Sequence, residues 1–451
     1  MMNLAEKLSR YAANLTYDDL TPEAIHEAKR RVLDSLGCAM GARHAEPARI
    51  ARELALSVSA SPGATVIGTI HKSAPDHAAF ANGVLFRYLD FNDTYLSKEP
   101  AHPSDNIAAI LAAAEVVGAS GREIILAIVL AYEVQCRLCD AYSIRAQGWD
   151  HVTYGAFSTS LACGKLLGLT EEQLTHAQGI AGTVGNAMRQ TRVGMLSHWK
   201  GCAFANASRG GIFAAQLAKL GMTGPAPIFE GEMGFFNQVA HGNFPLEIEA
   251  FGPPFMINQT YIKFWPAEYH SQSAIDAALQ LRERIRDWRE IAKIEIASFS
   301  AAVEIIGGEP EKWRPTTRET ADHSLPYCVA VALQDGDVTL DSFNAAHLGN
   351  ESLLDFIQNI TVVGDAALNS RYPVGIPNRL TVTLKDGTQP VCEVTFPRGH
   401  ARNPMSDTEV VHKFRSMASA YFPENRLAEM IQRCLALEDE TSVTPLLELF
   451  A

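Results

Sequence analysis

The sequence predicts a mainly α-helical protein with a smaller α+β domain, and three observations lead to this prediction. Apolar residues recur three and four positions apart through most of the first 265 residues, which is typical of helices. After about residue 285 the apolar pattern alternates with a period of two, as it does in strands. With 451 residues the chain is also longer than one hydrophobic core normally serves, so we expect two domains.

Helix start signals organise the N-terminal part of the chain. Thr21 and Pro22 predict an N-cap and a first helical turn, and Thr170 with Gln173 forms a capping pattern. The stretch "REIILAIVLAYEVQCRLCDAY" is apolar almost all round, which indicates a buried helix. We therefore predict a large all-helical domain over residues 1–268.

Strand signals follow in the C-terminal third of the chain. The run "IAKIEIASF" predicts a strand, and "NRLTVTLKDGTQPVCEVTF" predicts a hairpin that turns at Asp386 and Gly387. We assign residues 269–399 to a smaller α+β domain. Ser406 and Glu409 then form a capping box before renewed helical periodicity. We expect these helices, within residues 400–451, to pack back on the first domain.

Composition and charge exclude several classes of protein. The formal net charge of −13 argues against binding to nucleic acid or to an anionic membrane surface, because both need a positive protein surface. Eight scattered cysteines do not resemble a disulfide framework, which fits a reducing compartment. The first fifteen residues are too polar for a signal peptide, and no stretch reaches the length of a membrane span. We expect a cytoplasmic protein.

The common cofactor motifs are missing from the sequence. There is no glycine-rich dinucleotide fingerprint, phosphate-binding loop, H-E-x-x-H motif or nucleophile elbow. Cys136 and Cys139 form a C-x-x-C pair inside an apolar helical run, and no second pair stands at zinc spacing. An iron–sulfur cluster would need more thiolates, suitably grouped. We therefore expect no cofactor and no metal site.

A crowded polar stretch, "YLDFNDTYLSKEPAHPSDN", separates two apolar helical runs. It contains Asp90, Asp93, Thr94, His102 and Asp105. Connections held by a rigid scaffold often carry binding and catalytic groups. Asp, Ser and Asn also begin helices for local reasons, so a purely structural interpretation stays open.

A basic segment follows further along the chain. From residue 173 to 229 there is no Asp or Glu, while five cations fall inside: Arg189, Arg192, Lys200, Arg209 and Lys219. Such segregation indicates an anion site, because Arg grips a carboxylate with two parallel hydrogen bonds. The alternative is a helical face whose cations pair with acids elsewhere in the chain.

Lys263 is a further candidate cation, in the stretch "YIKFWPAEYHSQSA". Its aromatic neighbours would partly desolvate the ammonium group and strengthen its hold on an anion. Snorkelling of the side chain is the structural alternative. Glu268 and His270 are possible partners of Lys263. His151, in "GWDHVTYGAF", and His102 are each either catalytic or structural by their residue type alone.

These stretches together resemble the MmgE/PrpD family. The resemblance runs through "LDFNDTYLSKEPAHPSDN", "GWDHVTYGAFSTSLACGKLLGL", "SHWKGCAFANASRGG", "YIKFWPAEYHSQS", "DHSLPYCVAVAL" and "RNPMSDTEVVHKF", in the order of the family. It implies a helical domain with a smaller α/β lid and an active site between them. It also implies a homodimer that works without metal or iron–sulfur cluster.

The resemblance also implies which residues form the site and what they do. The matching positions are Asp90, Thr94, His102, His151, Lys200, Lys263 and Tyr327. The additional candidates for substrate binding are Asp93, Arg189, Arg192 and Glu268. Members of the family dehydrate 2-methylcitrate or decarboxylate cis-aconitate. The decarboxylase branch tends to carry a His where this chain has Glu268, so the sequence of this stretch is more similar to the dehydratase branch.

Dehydration of a tricarboxylate explains these residue types. A proton leaves the carbon next to a carboxylate while the hydroxyl departs, so Lys200 and Lys263 would stabilise the developing negative charge. A base and an acid are both needed, and histidine suits either role. Asp90 or Asp93 would orient a histidine or Thr94, and Tyr327 would protonate or hydrogen-bond the leaving oxygen. The sequence leaves open which residue takes which role.

We therefore expect a lyase that dehydrates 2-methylcitrate. Two alternatives remain at this point. One is another activity on a polycarboxylate, above all decarboxylation of cis-aconitate, and the other is a non-catalytic carboxylate-binding protein.

Overall fold

The structure, a computed structural model, describes residues 2–451, and within them the contacts define two compact units. The first unit comprises the residues up to Gly194, then His198–Thr260 and Ser406–Ala451. The second unit comprises Met195–Ser197 and Tyr261–Met405. Helices dominate the described part of the chain, so the mainly α prediction is confirmed.

The first unit begins with ten helices and three short strands. The helices are α1 (Leu4–Asn14), α2 (Pro22–Gly41), α3 (Glu46–Leu56), α4 (Pro75–Arg87), α5 (Ile107–Val117), α6 (Gly121–Ala141), α7 (Thr153–Leu166), α8 (Glu171–Val184), α9 (Trp199–Lys219) and α10 (Phe235–Gln238). The strands are β1 (Ala64–Thr65), β2 (Lys72–Ser73) and β3 (Asp93–Thr94).

The prediction of an all-helical domain over residues 1–268 is wrong in one detail. β1 and β2 pair antiparallel in the first unit, with Ala64 opposite Ser73 and Thr65 opposite Lys72. The intervening residues contain Gly68 at a φ of +87°, a backbone conformation that favours glycine and reverses the chain there. Helical periodicity does not reveal so short a hairpin, because each of its strands has only two residues.

The predicted helix starts are confirmed by their caps. Thr21 Oγ1 accepts a hydrogen bond from the backbone N–H of Ala24 at 3.2 Å, and Pro22 occupies the first turn of α2. Thr170 and Gln173 form a reciprocal capping box at the start of α8. Such caps satisfy backbone N–H groups that a helix leaves unpaired at its start.

Helices α7 and α9 pack closely against each other. A Cβ atom added to Gly155 of α7 would lie 2.4 Å from the ring of Phe204 of α9, and one added to Gly211 would lie 2.7 Å from Thr159. Glycine is therefore required at both contacts. Val152, just before α7, packs in one core cluster with Ala203, Phe204 and Ala207 of α9.

The second unit contains five strands and seven further helices. The strands are β4 (Tyr261–Ile262), β5 (Ile291–Ser298), β6 (Ile360–Gly364), β7 (Asn378–Leu384) and β8 (Val391–Val394). The helices are α11 (Gln272–Arg282), α12 (Ser300–Ala302), α13 (Arg318–Ala321), α14 (Leu325–Asp335), α15 (Ala345–Leu348), α16 (Glu351–Ile357) and α17 (Ala366–Asn369).

Four of these strands form a mixed sheet in the order β6-β5-β7-β8. β5 pairs parallel to β6 and antiparallel to β7, and β7 pairs antiparallel to β8. The predicted strand of residues 291–299 and the predicted hairpin are both confirmed, and Gly387 in its turn has a φ of +88°. α11 packs on β7 and β8.

The C-terminal helices belong to the first unit. They are α18 (Asp407–Ala418), α19 (Glu424–Leu435) and α20 (Thr444–Glu448). Ser406 and Glu409 form the predicted capping box of α18. Lys413 of α18 lies buried with its Nζ 2.7 Å from Asp34 of α2 and 2.6 Å from the carbonyl oxygen of Phe91. The C-terminal segment thus helps to hold the connection that follows α4.

Candidate active site

Asp90 stands at the centre of a buried group of charges in the first unit. It follows α4 and has a φ of 52°, which non-glycine residues rarely adopt. Arg87 Nη1 donates a hydrogen bond to Asp90 Oδ1, Lys200 Nζ lies 3.7 Å from Oδ2, and His102 Nε2 lies 4.0 Å from Oδ1. Three basic side chains thus surround one carboxylate.

Asp93 contacts His102 through its backbone carbonyl, and its side chain forms hydrogen bonds with the polar stretch between α4 and α5 and with α6. Its carbonyl oxygen lies 2.7 Å from His102 Nδ1. A carbonyl only accepts, so this nitrogen carries a proton. The Asp93 carboxylate accepts hydrogen bonds from the Ser104 N–H at 3.0 Å and the Tyr132 hydroxyl at 2.7 Å, and Arg31 Nε lies 3.4 Å away. The Asp93 carboxylate, which the sequence predicted to bind substrate, thus contacts three other groups of the protein in this structure.

Thr94 also forms a hydrogen bond within the polar stretch between α4 and α5. Its hydroxyl donates a hydrogen bond to the carbonyl oxygen of Ala101 at 3.0 Å. Tyr95 and Ala101 exchange two backbone hydrogen bonds of 2.8 and 2.9 Å. These bonds close residues 95–101 into a loop and deliver His102 to the buried side of the unit.

Arg87 is a member of this group that the sequence analysis did not single out. It is buried at the end of α4, and its Nε lies 3.5 Å from Asp105 Oδ2 in addition to the contact with Asp90. Burial raises the pKa of Asp105 to about 7, because Arg87 offsets only part of the desolvation. An arginine on an otherwise apolar helix face, three residues before Asp90, was the available signal.

His151 lies beside His102, just before α7. The centroids of the two rings are 5.8 Å apart. His151 Nδ1 lies 2.9 Å from Asp150 Oδ1, while no group in the described part of the chain forms a hydrogen bond with its buried Nε2. Burial lowers the pKa of His151, and the neighbouring Asp150 offsets only part of this shift. The ring is therefore neutral at pH 7.

Arg192 and Arg189 are the predicted anion-binding residues of the basic segment. Arg192 Nε lies 3.1 Å from Asp150 Oδ1 and 2.9 Å from Oδ2. Arg189 Nη1 lies 3.5 Å from the carbonyl oxygen of Arg145, and burial lowers the pKa of Arg189. Asp150, which adjoins His151 in the sequence, was not singled out by the sequence analysis.

Most cations of the basic segment, residues 173–229, pair with acids elsewhere in the chain, which was the structural alternative to an anion site. Three of its five cations contact acids outside the segment, in the pairs Lys200–Asp90, Arg192–Asp150 and Arg209–Asp76. The segment itself contains no acids because the acids that pair with its cations lie on other elements of the fold.

Lys263 and Glu268 are predicted site residues that lie in the second unit. Lys263 is fully buried, and Glu268 Oε1 lies 2.8 Å from His270 Nδ1. Burial acts to raise the pKa of Glu268, but the charges of His270, His323 and Lys263 outweigh it and lower the pKa to about 2. The sequence predicted Glu268 and His270 as partners of Lys263. In the structure Glu268 pairs with His270, and Lys263 acts on Glu268 through its charge.

Tyr327, also in the second unit, lies fully buried in α14. Its hydroxyl donates a hydrogen bond of 2.7 Å to the carbonyl oxygen of Ser342, and burial raises the pKa of the phenol. In this structure a backbone carbonyl therefore holds the proton that the sequence analysis assigned to a leaving oxygen.

Cys136 and Cys139 lie buried in α6, and burial raises the pKa of both thiols well above its usual value. Among residues 2–451 no three His, Cys, Asp or Glu side chains are grouped closely enough to hold a metal ion. None of the helices within the same residues has both the length and the apolar composition needed to cross a membrane.

Comparison with known proteins places these features in a family. The model of the MmgE/PrpD N-terminal domain matches residues 6–247, and that of the MmgE/PrpD C-terminal domain matches residues 265–437. The chain is 29% identical to 2-methylcitrate dehydratase of Cupriavidus necator, over 94% of this chain and 90% of the relative. It is 28% identical to the 2-methylcitrate dehydratase of Escherichia coli K12, over 93% and 91% of the two chains. A fungal alkylcitrate dehydratase is 28% identical, over 98% and 92%.

Proposed function

Because the chain belongs to the MmgE/PrpD family, we propose that it is a hydro-lyase that converts 2-methylcitrate to 2-methyl-cis-aconitate, a step of propionate breakdown. The observation that carries the proposal is the buried histidine pair of His102 and His151, whose rings lie 5.8 Å apart. The charged group of Asp90, Lys200 and Arg87 lies directly beside it. Dehydration needs an acid, a base and cations for an anionic substrate, and this group contains residues for each role.

The reaction breaks two bonds of the substrate and forms one double bond. A base takes the proton from the carbon that carries a methyl group and a carboxylate. The electron pair of that C–H bond becomes the new C=C bond, and the C–O bond to the neighbouring carbon breaks. The departing hydroxyl takes a proton from an acid and leaves as water, so that atoms and charges balance.

His151 suits the role of the base. Its ring is neutral at pH 7 because burial lowers its pKa. With Nδ1 facing the Asp150 carboxylate, Nε2 holds the lone pair and has no hydrogen-bond partner among residues 2–451. A general base must present such a lone pair within hydrogen-bond reach of the proton that it removes.

His102 suits the role of the acid. Its Nδ1–H donates to the Asp93 carbonyl oxygen, so in the proposed mechanism the proton passes to the substrate from Nε2. Asp90 Oδ1, 4.0 Å from Nε2, stabilises a protonated ring by its negative charge. Protonation of the leaving oxygen then returns His102 to its neutral form.

Lys200 and Arg87 supply positive charge to the same buried region. Proton removal next to a carboxylate spreads further negative charge onto that group in the transition state. Fixed cations that water does not screen stabilise such charge more strongly than exposed ones do. The roles of Thr94, Lys263 and Tyr327 in this reaction stay predictions from the family resemblance, and those of Arg189 and Glu268 stay predictions from the sequence.

The proposal is tested with purified protein and four substrates side by side. These are 2-methylcitrate, citrate, cis-aconitate and a citrate with a longer alkyl chain, which the fungal relative suggests. We expect ultraviolet absorbance of the conjugated product to rise fastest with 2-methylcitrate, and mass spectrometry to show the loss of one water. Release of carbon dioxide from cis-aconitate without dehydration would instead identify a decarboxylase. Calorimetric binding of these acids without turnover would identify a carboxylate-binding protein.

Two further parts of the proposal rest on the family resemblance, namely that the enzyme is a homodimer and that it uses no cofactor. Light scattering at micromolar concentration should give twice the chain mass, and a monomer mass would contradict the first part. Turnover should survive treatment with a chelator. Activity that is lost with the chelator and restored by added metal would contradict the second.

A further inference from the structure

Asp150, His151 and Arg192 form a contact group that we call the buried triad. Asp150 Oδ1 lies 2.9 Å from His151 Nδ1, and Arg192 Nε lies 2.9 Å from Asp150 Oδ2. The side chains of Asp150 and His151 are 0% and 6% exposed, and that of Arg192 is 21% exposed. Arg192 thus turns its guanidinium toward Asp150, although the sequence predicted that it binds substrate.

Backbone pairing delivers Arg192 to this place. The Asp150 N–H donates to the carbonyl oxygen of Ala187 at 2.8 Å, and the Arg189 N–H donates to that of Gly148 at 2.9 Å. The Ala187 N–H donates to Thr153 Oγ1 at 3.0 Å, at the start of α7. The segment that carries Arg192 is therefore fastened to the segment that carries His151 by three hydrogen bonds.

The triad decides which nitrogen of His151 carries its proton. An ionised carboxylate only accepts hydrogen bonds, so a ring nitrogen 2.9 Å from it must be the protonated one. Burial acts to raise the pKa of Asp150, but the Arg192 guanidinium and the hydrogen bond from His151 outweigh it and hold the pKa well below its usual value. Asp150 is therefore ionised at pH 7, and the lone pair of His151 stays on the buried, unpartnered Nε2.

We infer that Asp150 is a positioning residue, which fixes the ring and tautomer of His151 for proton abstraction through Nε2, and that Arg192 holds Asp150 for this purpose. The inference rests on the proposed function for its catalytic part. It assigns to Arg192 an indirect role, through Asp150, in place of a direct grip on the substrate. The tautomer itself is a property of the protein and is testable without any substrate.

The charged groups that face His151 come from several elements. They are Asp150 before α7, Arg192 in the 3₁₀ turn Arg189–Arg192, Arg87 of α4, and His102 before α5. Asp150 acts to raise the pKa of His151, whereas Arg192 and Arg87 act to lower it. Removing Asp150 and removing Arg192 should therefore shift the titration of His151 in opposite directions.

A matched control stands elsewhere in the first unit. Asp76, His77 and Arg209, which we call the surface triad, repeat the same residue types. Asp76 Oδ1 lies 3.1 Å from His77 Nδ1, and Arg209 Nε lies 3.4 Å from Asp76 Oδ2. His77 is 27% and Arg209 44% exposed at the side chain. Asp76→Asn therefore removes an equivalent carboxylate away from the proposed site.

The first experiment measures the tautomer directly. Nitrogen-15 NMR of histidine-labelled protein, with His151→Gln to assign the signals, should show His151 neutral at pH 7 with its proton on Nδ1. In Asp150→Asn the amide can rotate and donate to Nδ1, so a population protonated on Nε2 should appear. Asp76→Asn should leave the His151 signals unchanged. A wild-type ring protonated on Nε2, or an unchanged tautomer in folded Asp150→Asn, would overturn the inference whatever the enzyme's substrate.

The second experiment uses turnover. Asp150→Asn should lower kcat by roughly 10²- to 10⁴-fold with KM changed less than threefold, because only proton transfer loses its oriented base. The acidic limb of the kcat/KM profile should move to lower pH in Asp150→Asn and to higher pH in Arg192→Gln. Arg192→Lys, which keeps the charge, should restore most of the wild-type profile. A raised KM with unchanged kcat in Arg192→Gln would show that Arg192 binds substrate directly. Acidic limbs that shift in the same direction in Asp150→Asn and Arg192→Gln would contradict the positioning role.

If the wild-type protein turns over none of the four substrates, the proposed function fails while the NMR result still decides the tautomer. If turnover is found but Asp150→Asn keeps both wild-type kcat and pH profile, the proposed function stands and the positioning role of Asp150 fails.

Discussion

The buried triad and the surface triad place the same three residue types at similar distances in very different surroundings. The Asp–His contacts measure 2.9 and 3.1 Å, and the Asp–Arg contacts 2.9 and 3.4 Å. Water reaches the surface triad, where it screens the charges and leaves little net energy in their attraction. In the buried triad the same charges act through a medium of low dielectric constant. Burial rather than residue type therefore separates a tuned histidine from a solvated one.

The neighbours of the two triads differ as well. Asp76 lies in the first turn of α4, where an acidic side chain is favoured by the positive end of the helix dipole. That local role explains its presence without any chemistry. His151 instead faces a second histidine, His102, and through it the charges around Asp90. The comparison yields predictions in which each buried residue is set against an exposed counterpart.

The largest expected effect separates the two histidines. We expect His151→Ala to lower kcat by about 10²- to 10⁴-fold, since it removes the proposed general base. His77→Ala should stay within twofold of wild type. Both are measured as initial rates with 2-methylcitrate, with circular dichroism to show that the variants are folded. Equal activities of the two folded variants would mean that the buried triad has no part in the chemistry.

The next effect separates two cations of one helix. Lys200, in the first turn of α9, lies 3.7 Å from Asp90, whereas Arg209, on the same helix, belongs to the surface triad. Lys200→Ala should reduce kcat/KM by about 100- to 1,000-fold, because it removes a fixed charge beside the developing anion.

Part of that loss should appear as a raised KM, since Lys200 would also attract a carboxylate of the bound substrate. Arg209→Ala serves as the control and should change neither constant more than twofold. A Lys200→Ala variant that is folded and fully active would show that Lys200 merely neutralises Asp90.

Much of the fold was predictable from the sequence because its signals are local. Caps such as Thr170 and Ser406, and the hairpin turn at Gly387, depend on hydrogen bonds and dihedral angles within a few residues. The β1–β2 hairpin and the parallel pairing of β5 with β6 were not predicted. They depend on two-residue strands or on partners more than sixty residues apart, for which periodicity gives no signal.

The candidate site shows the same division. Asp90, His102 and Lys200 were predicted, and the structure brings them together. Arg87 and Asp150 were missed, although each stands within three residues of a predicted residue in the sequence. Their importance depends on burial and on a partner from another element, which residue type and spacing alone do not encode.

The pH dependence of stability should distinguish two buried acids. Asp105 has a pKa raised to about 7, mainly by burial, against about 3.9 in an unfolded chain. Between these values the folded state holds a proton that the unfolded state has released, so wild-type stability falls as pH rises from about 4 to 7. Asp105→Asn removes this loss. Its free energy of unfolding relative to wild type should therefore rise with pH across the same window.

Asp150→Asn should behave in the opposite way. The pKa of Asp150 is held well below its usual value, so its carboxylate stabilises the fold above about pH 4 and loses this contribution as pH falls. The deficit of Asp150→Asn should be full at pH 7 and shrink below about pH 4. Urea unfolding of both variants and of the surface control Asp76→Asn at pH 3.5, 5 and 7 measures these trends, and parallel curves for Asp105→Asn and Asp150→Asn would refute the opposite assignments.

We expect the smallest effect from replacing two buried residues that form no charge pair, Cys136 and Cys139. Cys136 and Cys139 are fully buried in α6, as Asp150 and His151 are buried before α7, but burial raises the pKa of both thiols well above its usual value and keeps them protonated.

Cys136→Ala and Cys139→Ala replace a small apolar side chain by a smaller one, so each should cost about 1 kcal/mol in the free energy of unfolding through the cavity that it opens. Urea unfolding measures this cost, and kcat and KM should stay within twofold of wild type in both variants. A large loss of activity at near-parental stability would show that a thiol takes part in the chemistry, and the distinction between buried charge and mere burial would then fail.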